Sequence, residues 1–199
     1  MTDVGVVILA GGLARRMEGQ DKGLVVLGDK PMVQWTLDIV KQFTADIVIN
    51  ANRNHDAYQL HGIPVISDQH KGHLGPLAGL YAAMQSLDND YIIMCPCDSP
   101  FVQIALLNKL KDGLTRAATE DSAEIVVAHD GDRLQPVFAM VSGALADSLD
   151  NFLLSGERKI DKWYGMHKML AVDCSDCAAS FRNINTEEER LAAELEISQ

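Results

Sequence analysis

A chain of 199 residues is the size of one domain and long enough to bury a sizeable core. Its 47% hydrophobic and 23% charged content is that of a soluble globular protein, and no apolar run reaches the roughly 18–20 residues of a membrane helix. A formal net charge of −11 excludes broad nucleic-acid or anionic-membrane binding, so a basic cluster is a local exception with a local purpose.

Val4 to Ala10, with the aliphatic run Val6 to Ala10 inside it, has the pattern of a strand buried on both faces. It stops at Gly11-Gly12, and Arg15, Arg16 and Lys22 follow in a short polar loop. Glycines let the backbone turn sharply and approach a ligand, and the basic side chains place positive charge where a polyphosphate would lie. The loop lacks the Gly-Lys-Ser/Thr of a P-loop and the spaced glycines of a dinucleotide fingerprint.

Gly28-Asp29-Lys30-Pro31 reads as a turn, with Pro31 opening a helix whose apolar face is Met32, Trp35, Ile39, Val40 and Phe43. Asp46 to Asn50 is a second buried strand, and Ile63 to Asp68 a third, shorter one ending in a carboxylate. Pro76 starts a helix through Leu87. Gly79 lies in its first turn, where glycine costs about 1 kcal/mol against alanine and so implies close backbone approach. Tyr91 to Asp98 is the fourth strand, with Ser99 as N-cap and Pro100 at the first position of a helix through Leu110. That leaves Asp98 available for a hard cation such as Mg²⁺, which is typically held by one or two carboxylates plus substrate phosphates.

Glu124–His129 and Leu134–Val141 flank Asp130-Gly131, a hairpin signal. Helices follow around Leu145–Leu153 and Ile160–Tyr164, then strands near Met169–Val172 and Phe181–Ile184, and Thr186 with Glu189 forms a capping box for a final helix. Strands alternating with helices imply an α/β fold of three layers, a mostly parallel open sheet with helices on both faces and a small antiparallel hairpin. Ligands bind such sheets beyond the carboxyl ends of the strands, where Gly11, Asn50, Asp68 and Asp98 all fall.

Cys95 and Cys97 lie two apart on one strand face and read as small buried thiols. With the C-x-x-C pair Cys174 and Cys177 they invite a zinc reading, but the first pair lacks the usual ligand spacing, so no zinc site is expected. His70 and His73 have no third ligand nearby. Without an n-region or h-region at Met1, the expected compartment is the cytoplasm, with reduced cysteines.

Leu9-Ala10-Gly11-Gly12, Arg15-Arg16-Met17 and Asp21-Lys22-Gly23 together resemble the signature of the molybdenum cofactor guanylyltransferase family. Val48–Arg53, Gly75-Pro76-Leu77-Ala78-Gly79, Cys95-Pro96-Cys97-Asp98 and Asn183-Ile184-Asn185-Thr186 agree with it in order along nearly the whole chain. Sugar-nucleotide relatives generally carry Pro where this chain has Asp21, and a cytidylyl relative acting on the same pterin usually has Ala-Ala-Gly in place of Ala10-Gly11-Gly12. Glu187 departs from the family's usual Pro, with little expected consequence.

The resemblance implies a Rossmann-like nucleotidyltransferase fold in a single domain over residues 1–199, with a GTP-binding part about 1–110 and a pterin-side part about 120–199. It implies GTP contacts at Leu9, Ala10, Gly11, Gly12, Lys22, Asn50, Asp68, Gly75, Gly79 and Asp98. Lys22, Arg16 and Asp98 take the catalytic roles, Mg²⁺ sits on Asp98, and Asn183 and Asn185 lie on one face of a strand toward the pterin. Asp68 and Asn50 serve the guanine edge or a ribose hydroxyl, or merely end their strands. The implied reaction joins GMP from GTP to the terminal phosphate of molybdopterin and releases pyrophosphate. Its rivals are a sugar-phosphate or cytidylyl transferase and a GTP-binding regulatory domain without turnover. Proteins that deliver or receive the cofactor are implied partners, with the loop Asp130–Gln135 and the basic Arg158 and Lys159 as candidate surfaces.

Overall fold

The computed structural model describes residues 2–10, 13–14, 20–70, 72, 75–117 and 123–197. Seven strands form one sheet: β1 Val4–Leu9, β2 Ile47–Asn50, β3 Val65–Ile66, β4 Tyr91–Pro96, β5 Ile125–His129, β6 Leu134–Ser142 and β7 Met169–Asp173. Their order across the sheet is β7-β5-β6-β4-β1-β2-β3. Pairings β4·β1, β1·β2, β2·β3 and β7·β5 are parallel, whereas β6 runs antiparallel to both β4 and β5. The expected hairpin is therefore present but lies inside the main sheet, with a register shift between Gln135 and Ala139.

Two apolar layers explain the three-layer stack. On one face Val4, Val6 and Ile8 pack with Val33, Leu37 and Val40 of α1 (Met32–Phe43) and Leu106, Leu107 and Leu110 of α4 (Ile104–Ala117). On the other, Val7 and Met94 meet α3 (Pro76–Met84), α5 (Ala146–Leu154) and α6 (Ile160–Tyr164), with Trp163 fully buried among them. The lack of charged residues along β1 and β4 follows from this, since both faces of each strand are covered. A third, smaller cluster of Val25, Leu27, Met32, Ile184 and Ala193 seats α7 (Glu187–Ile197) against a two-stranded ribbon of Val26–Leu27 and Lys30–Pro31. Gly28 turns that ribbon at φ +67°. Among the described residues, no helix is long and apolar enough to cross a membrane.

Three expectations fail locally. Residues 181–184 form no strand: 175–181 is a 3₁₀ helix, Arg182 after it is extended, and none of these residues joins a sheet among the described residues. Their apolar side chains pack elsewhere, Phe181 edge-on against Phe138 at 5.4 Å and Ile184 under α7. The helix after Asp98 starts at Ile104 and not at Pro100. Ser99 caps nothing there, because its hydroxyl donates to Asn183 Oδ1 at 2.5 Å, while the Ser180 hydroxyl accepts the Gln103 N–H at 3.0 Å. Pro31 stands at the N-cap of α1, one residue ahead of the helix it opens.

Candidate active site at the carboxyl ends of the parallel strands

The chain leaves β1 toward β2 on one side and later returns through β4 on the other, which makes the β1–β4 edge a topological switch point. Leu9 is in register with both Asn50 and Pro96, so three strand ends finish level. The ladder runs one step further. The Ala10 N–H donates to the Asn50 carbonyl at 2.8 Å, and the Cys97 N–H donates to the Leu9 carbonyl at 3.1 Å. Asn50 and Asp98 thereby project from neighbouring ends on either side of β1.

Lys22 opens a 3₁₀ turn, Lys22–Leu24, and its Nζ donates to Asp98 Oδ2 at 2.8 Å and to Asn185 Oδ1 at 2.5 Å. Both charged side chains are about one-sixth exposed, at 16% and 15%, so the pair is shielded yet open to a ligand. Asn185 is held from two directions. Its N–H donates to Glu189 Oε2 at 2.6 Å, within the Thr186–Glu189 capping box, and the preceding Ile184 N–H donates to the Asp98 carbonyl at 2.9 Å. Glu187 sits at the start of α7 and pairs with Arg190, so the missing proline leaves the cap intact. Asn183 and Asn185 are not on a strand. Asn185 faces the Lys22–Asp98 pair, and Asn183 faces Ser99.

On the β2 side, Asn50 is 4% exposed and donates to Asp68 Oδ1 at 3.0 Å. Asn52 grips the same carboxylate reciprocally, donating to Oδ2 at 2.8 Å and accepting the Asp68 N–H at 2.9 Å. Gly79 shows its reason here: a Cβ on it would lie 2.5 Å from Asn50 Oδ1 and 2.6 Å from Leu9 Cδ2. The first turn of α3 thus packs directly onto both strand ends. Gly75, at φ +73°, precedes it as N-cap with Pro76 at the first position.

Sequence reasoning missed a buried hub beside this site. Asp21 is 6% exposed and accepts from Tyr58 Oη at 2.5 Å, Asn54 Nδ2 at 3.1 Å and Arg53 Nε at 3.2 Å. Burial, with Cys97 and Asp21 close by, pushes the Tyr58 phenol well up, so it remains a donor. A cavity of about 650 Å³ lined by Asp21, Leu24, Asn54, His55, Asp56 and Ala57 borders the hub rather than Asp98. The prior signal was that Asp21 stands where sugar-nucleotide transferases generally carry proline.

All four cysteines are buried free thiols, and burial raises Cys95 to about 12. His70 pairs with Asp150 at 2.8 Å. In the hairpin loop, the backbone N–H groups of Arg133 and Asp132 and the Gln135 amide hold the Asp130 carboxyl down to about 2. Gly11, Gly12, Arg15, Arg16 and His73 lie outside the described residues. Among those described, no group of three or more His, Cys, Asp or Glu is arranged to hold a metal. Asp98 still fits Mg²⁺: it is a hard, partly exposed carboxylate, Lys22 engages only its Oδ2, and a triphosphate would supply the remaining oxygens.

Residues 6–170 match the family described as the MobA-like NTP transferase domain. Two curated relatives are named molybdenum cofactor guanylyltransferase. The one from Shewanella loihica is 46% identical over 94% of this chain and 93% of its own length, and the one from Shewanella baltica is 44% identical over 100% and 99%. Among solved structures, the molybdopterin-guanine dinucleotide biosynthesis protein A of Archaeoglobus fulgidus superposes with a TM-score of 0.79 at 27% identity, covering 98% of each chain. The 4-diphosphocytidyl-2C-methyl-D-erythritol synthase of Anaerococcus prevotii shares the fold, at a TM-score of 0.72 and 14% identity over 100% of this chain and 99% of its own. This chain is a nucleotidyltransferase, and it belongs to the molybdenum cofactor guanylyltransferase family.

Proposed function

We propose that the chain transfers GMP from GTP to the terminal phosphate of molybdenum-bearing molybdopterin, giving the guanine dinucleotide cofactor and pyrophosphate. It works as one unit, with the nucleotide on residues about 1–110 and the pterin toward about 120–199, and it acts in the cytoplasm. The observation that carries this reading is the Lys22–Asp98 pair, set beyond level parallel strand ends and closed by Asn185.

The chemistry suits these groups. A phosphate monoester has a second pKa near 6, so the attacking phosphate is largely dianionic at neutral pH and needs no base. One of its oxygens bonds to the α-phosphorus of GTP, the α–β anhydride breaks, and pyrophosphate departs with that bond's electron pair. The protein's task is to align these anions and offset their repulsion. An ammonium has three donors, and Asp98 and Asn185 take two of those on Lys22, leaving one for a triphosphate oxygen. Asp98 would hold Mg²⁺, which when bound neutralises phosphate charge. Leu9, Ala10, Gly11, Gly12, Gly75 and Gly79 bring backbone close to the nucleotide, and Arg16 adds charge beside the triphosphate. Asp68, steadied by Asn50 and Asn52, accepts hydrogen bonds from the base or the ribose. Asn183 flanks the acceptor side. Contacts with proteins that deliver or receive the cofactor are transient.

The test is pyrophosphate release with GTP, CTP or ATP, offering molybdopterin or a sugar phosphate as acceptor. Release is expected only with GTP and molybdopterin, and Asp98→Ala is expected to abolish it with the fold intact. Release with GTP and a sugar phosphate but not with molybdopterin would overturn the reading.

A further inference from the structure

Asp21 is a carboxylate with no task in the transfer chemistry. Its side chain is 1% exposed, and its charge would repel a triphosphate rather than bind one. A buried carboxylate persists only where donors saturate it. Here three donors come from a single short stretch: Arg53 and Asn54 on Oδ2, and Tyr58 on Oδ1. That stretch continues directly from β2, whose last residue is Asn50, and it ends in the five-residue helix α2, His55–Gln59.

The residue after Asp21 is Lys22, and the residue after that is tied to the same tyrosine. A Cβ on Gly23 would lie 2.5 Å from Tyr58 Oη and 3.2 Å from Cys97 Sγ, so the phenol fills the space that a side chain at Gly23 would need. Lys22 is thus bracketed by one neighbour hydrogen-bonded to Tyr58 and another packed against it. Asn54 adopts φ +53°, the single positive φ among the described non-glycine residues. Surrounding contacts must hold such a conformation, and the bond to Asp21 is one of them.

We propose that Asp21 and Tyr58 are positioning residues that set the Lys22 backbone so that its ammonium meets the triphosphate beside Asp98. The proposal rests on the reading of Lys22 as the triphosphate's cation. It extends that reading to groups that never touch substrate. Because Asn50 and Asn52 of the same stretch hold Asp68, one segment registers both halves of the nucleotide cleft.

A double-mutant cycle on the full-length protein tests this by pyrophosphate release with GTP and molybdopterin. Tyr58→Phe removes only the hydroxyl. In the otherwise native protein it is expected to lower kcat about tenfold to a hundredfold, with a smaller change in the KM for GTP, as small misplacements of a charge-stabilising group do. Combined with Lys22→Ala, it is expected to add less than about twofold, because the group being positioned is gone. A merely structural role would cost the same factor in both backgrounds, and that result overturns the proposal alone. An unchanged kcat for Tyr58→Phe also overturns it. Full activity of Lys22→Ala by itself would overturn the reading of Lys22 and this proposal with it. Asn54→Gly, which keeps the positive φ and deletes one donor, provides a second variant if Tyr58→Phe melts below the assay temperature. Its kcat is expected to fall, and a native kcat would count against the proposal in the same way.

Discussion

Gly79 joins helix energetics to the candidate nucleotide cleft at a single position. An alanine in an exposed helix interior stabilises by about 1 kcal/mol relative to glycine. Here the added methyl would meet Asn50 Oδ1 at 2.5 Å and Leu9 Cδ2 at 2.6 Å, and both belong to the strand ends that α3 must approach. Overpacking of that kind costs about 1–3 kcal/mol and outweighs the propensity gain. Gly79→Ala is therefore expected to lower the urea midpoint and raise the KM for GTP, because Asn50 cannot yield without releasing Asp68. A variant more stable than the parent, with unchanged KM, would show that Asn50 has room to move. The glycine's presence in a helix was legible in the sequence as a request for close approach. Its partners were not, since Asn50 lies on another element.

At the scale of elements, the segment between the last 3₁₀ helix and α7 has no secondary structure of its own, yet it completes the cleft. Glu189 explains how: its carboxylate accepts from both Asn185 and Thr186, so the helix cap also positions the amide that reaches Lys22. Thr186→Ala is expected to cost about 0.5–2 kcal/mol of stability through the lost cap. Glu189→Ala is expected to lower transfer more than Thr186→Ala does, because it releases Asn185 as well, and pyrophosphate release by the two variants decides this. Equal activities would separate the cap from the site. The capping box could be read from Thr186 and Glu189 three apart, but its reach to Lys22 could not. Phe181 and Ile184 suggested a strand because apolar spacing does not say whether burial comes from a ladder or from packing. The strands β1, β2 and β4 were legible for the opposite reason: both faces of each are covered, and short runs dominated by apolar residues have few other uses. The Asp21 hub was invisible because Arg53, Asn54 and Tyr58 stand 32 to 37 residues away, and no spacing in the sequence ties that stretch to Asp21.

For the molecule as a whole, the titrating groups fix the shape of stability against pH. Hydrogen bonds hold several exposed carboxylates below their usual range: the Ser175 N–H on Asp173, Lys109 on Asp176, Lys162 on Glu157 and Arg190 on Glu187, with Asp130 at about 2. A depressed carboxylate stabilises the fold above its unfolded value of about 4, and that contribution is lost as pH falls through the folded value. His61, lowered by burial, adds a smaller loss as pH falls below about 6.5. Tyr58 acts with the opposite sign. Its raised phenol stabilises the fold below about pH 10 and ceases to as pH rises beyond that. The urea midpoint is expected to be highest between about pH 7 and 9 and to drop most steeply below about 4. A midpoint that rises on going from pH 7 to 5 would contradict these assignments.

The Lys22–Asn185 bond spans 163 residues of chain, and Asn185 lies beyond the stretch that matches the domain family. Synthesis proceeds from the amino end at about 5–20 residues per second, so tens of seconds or less separate the emergence of the lysine from that of its amide partner. β1 precedes Lys22, and β2 to β7 become available for pairing during that interval, while the cation still lacks its amide partner. The amide that meets Lys22 is thus available only after every strand of the sheet has been made, so this contact closes the cleft late.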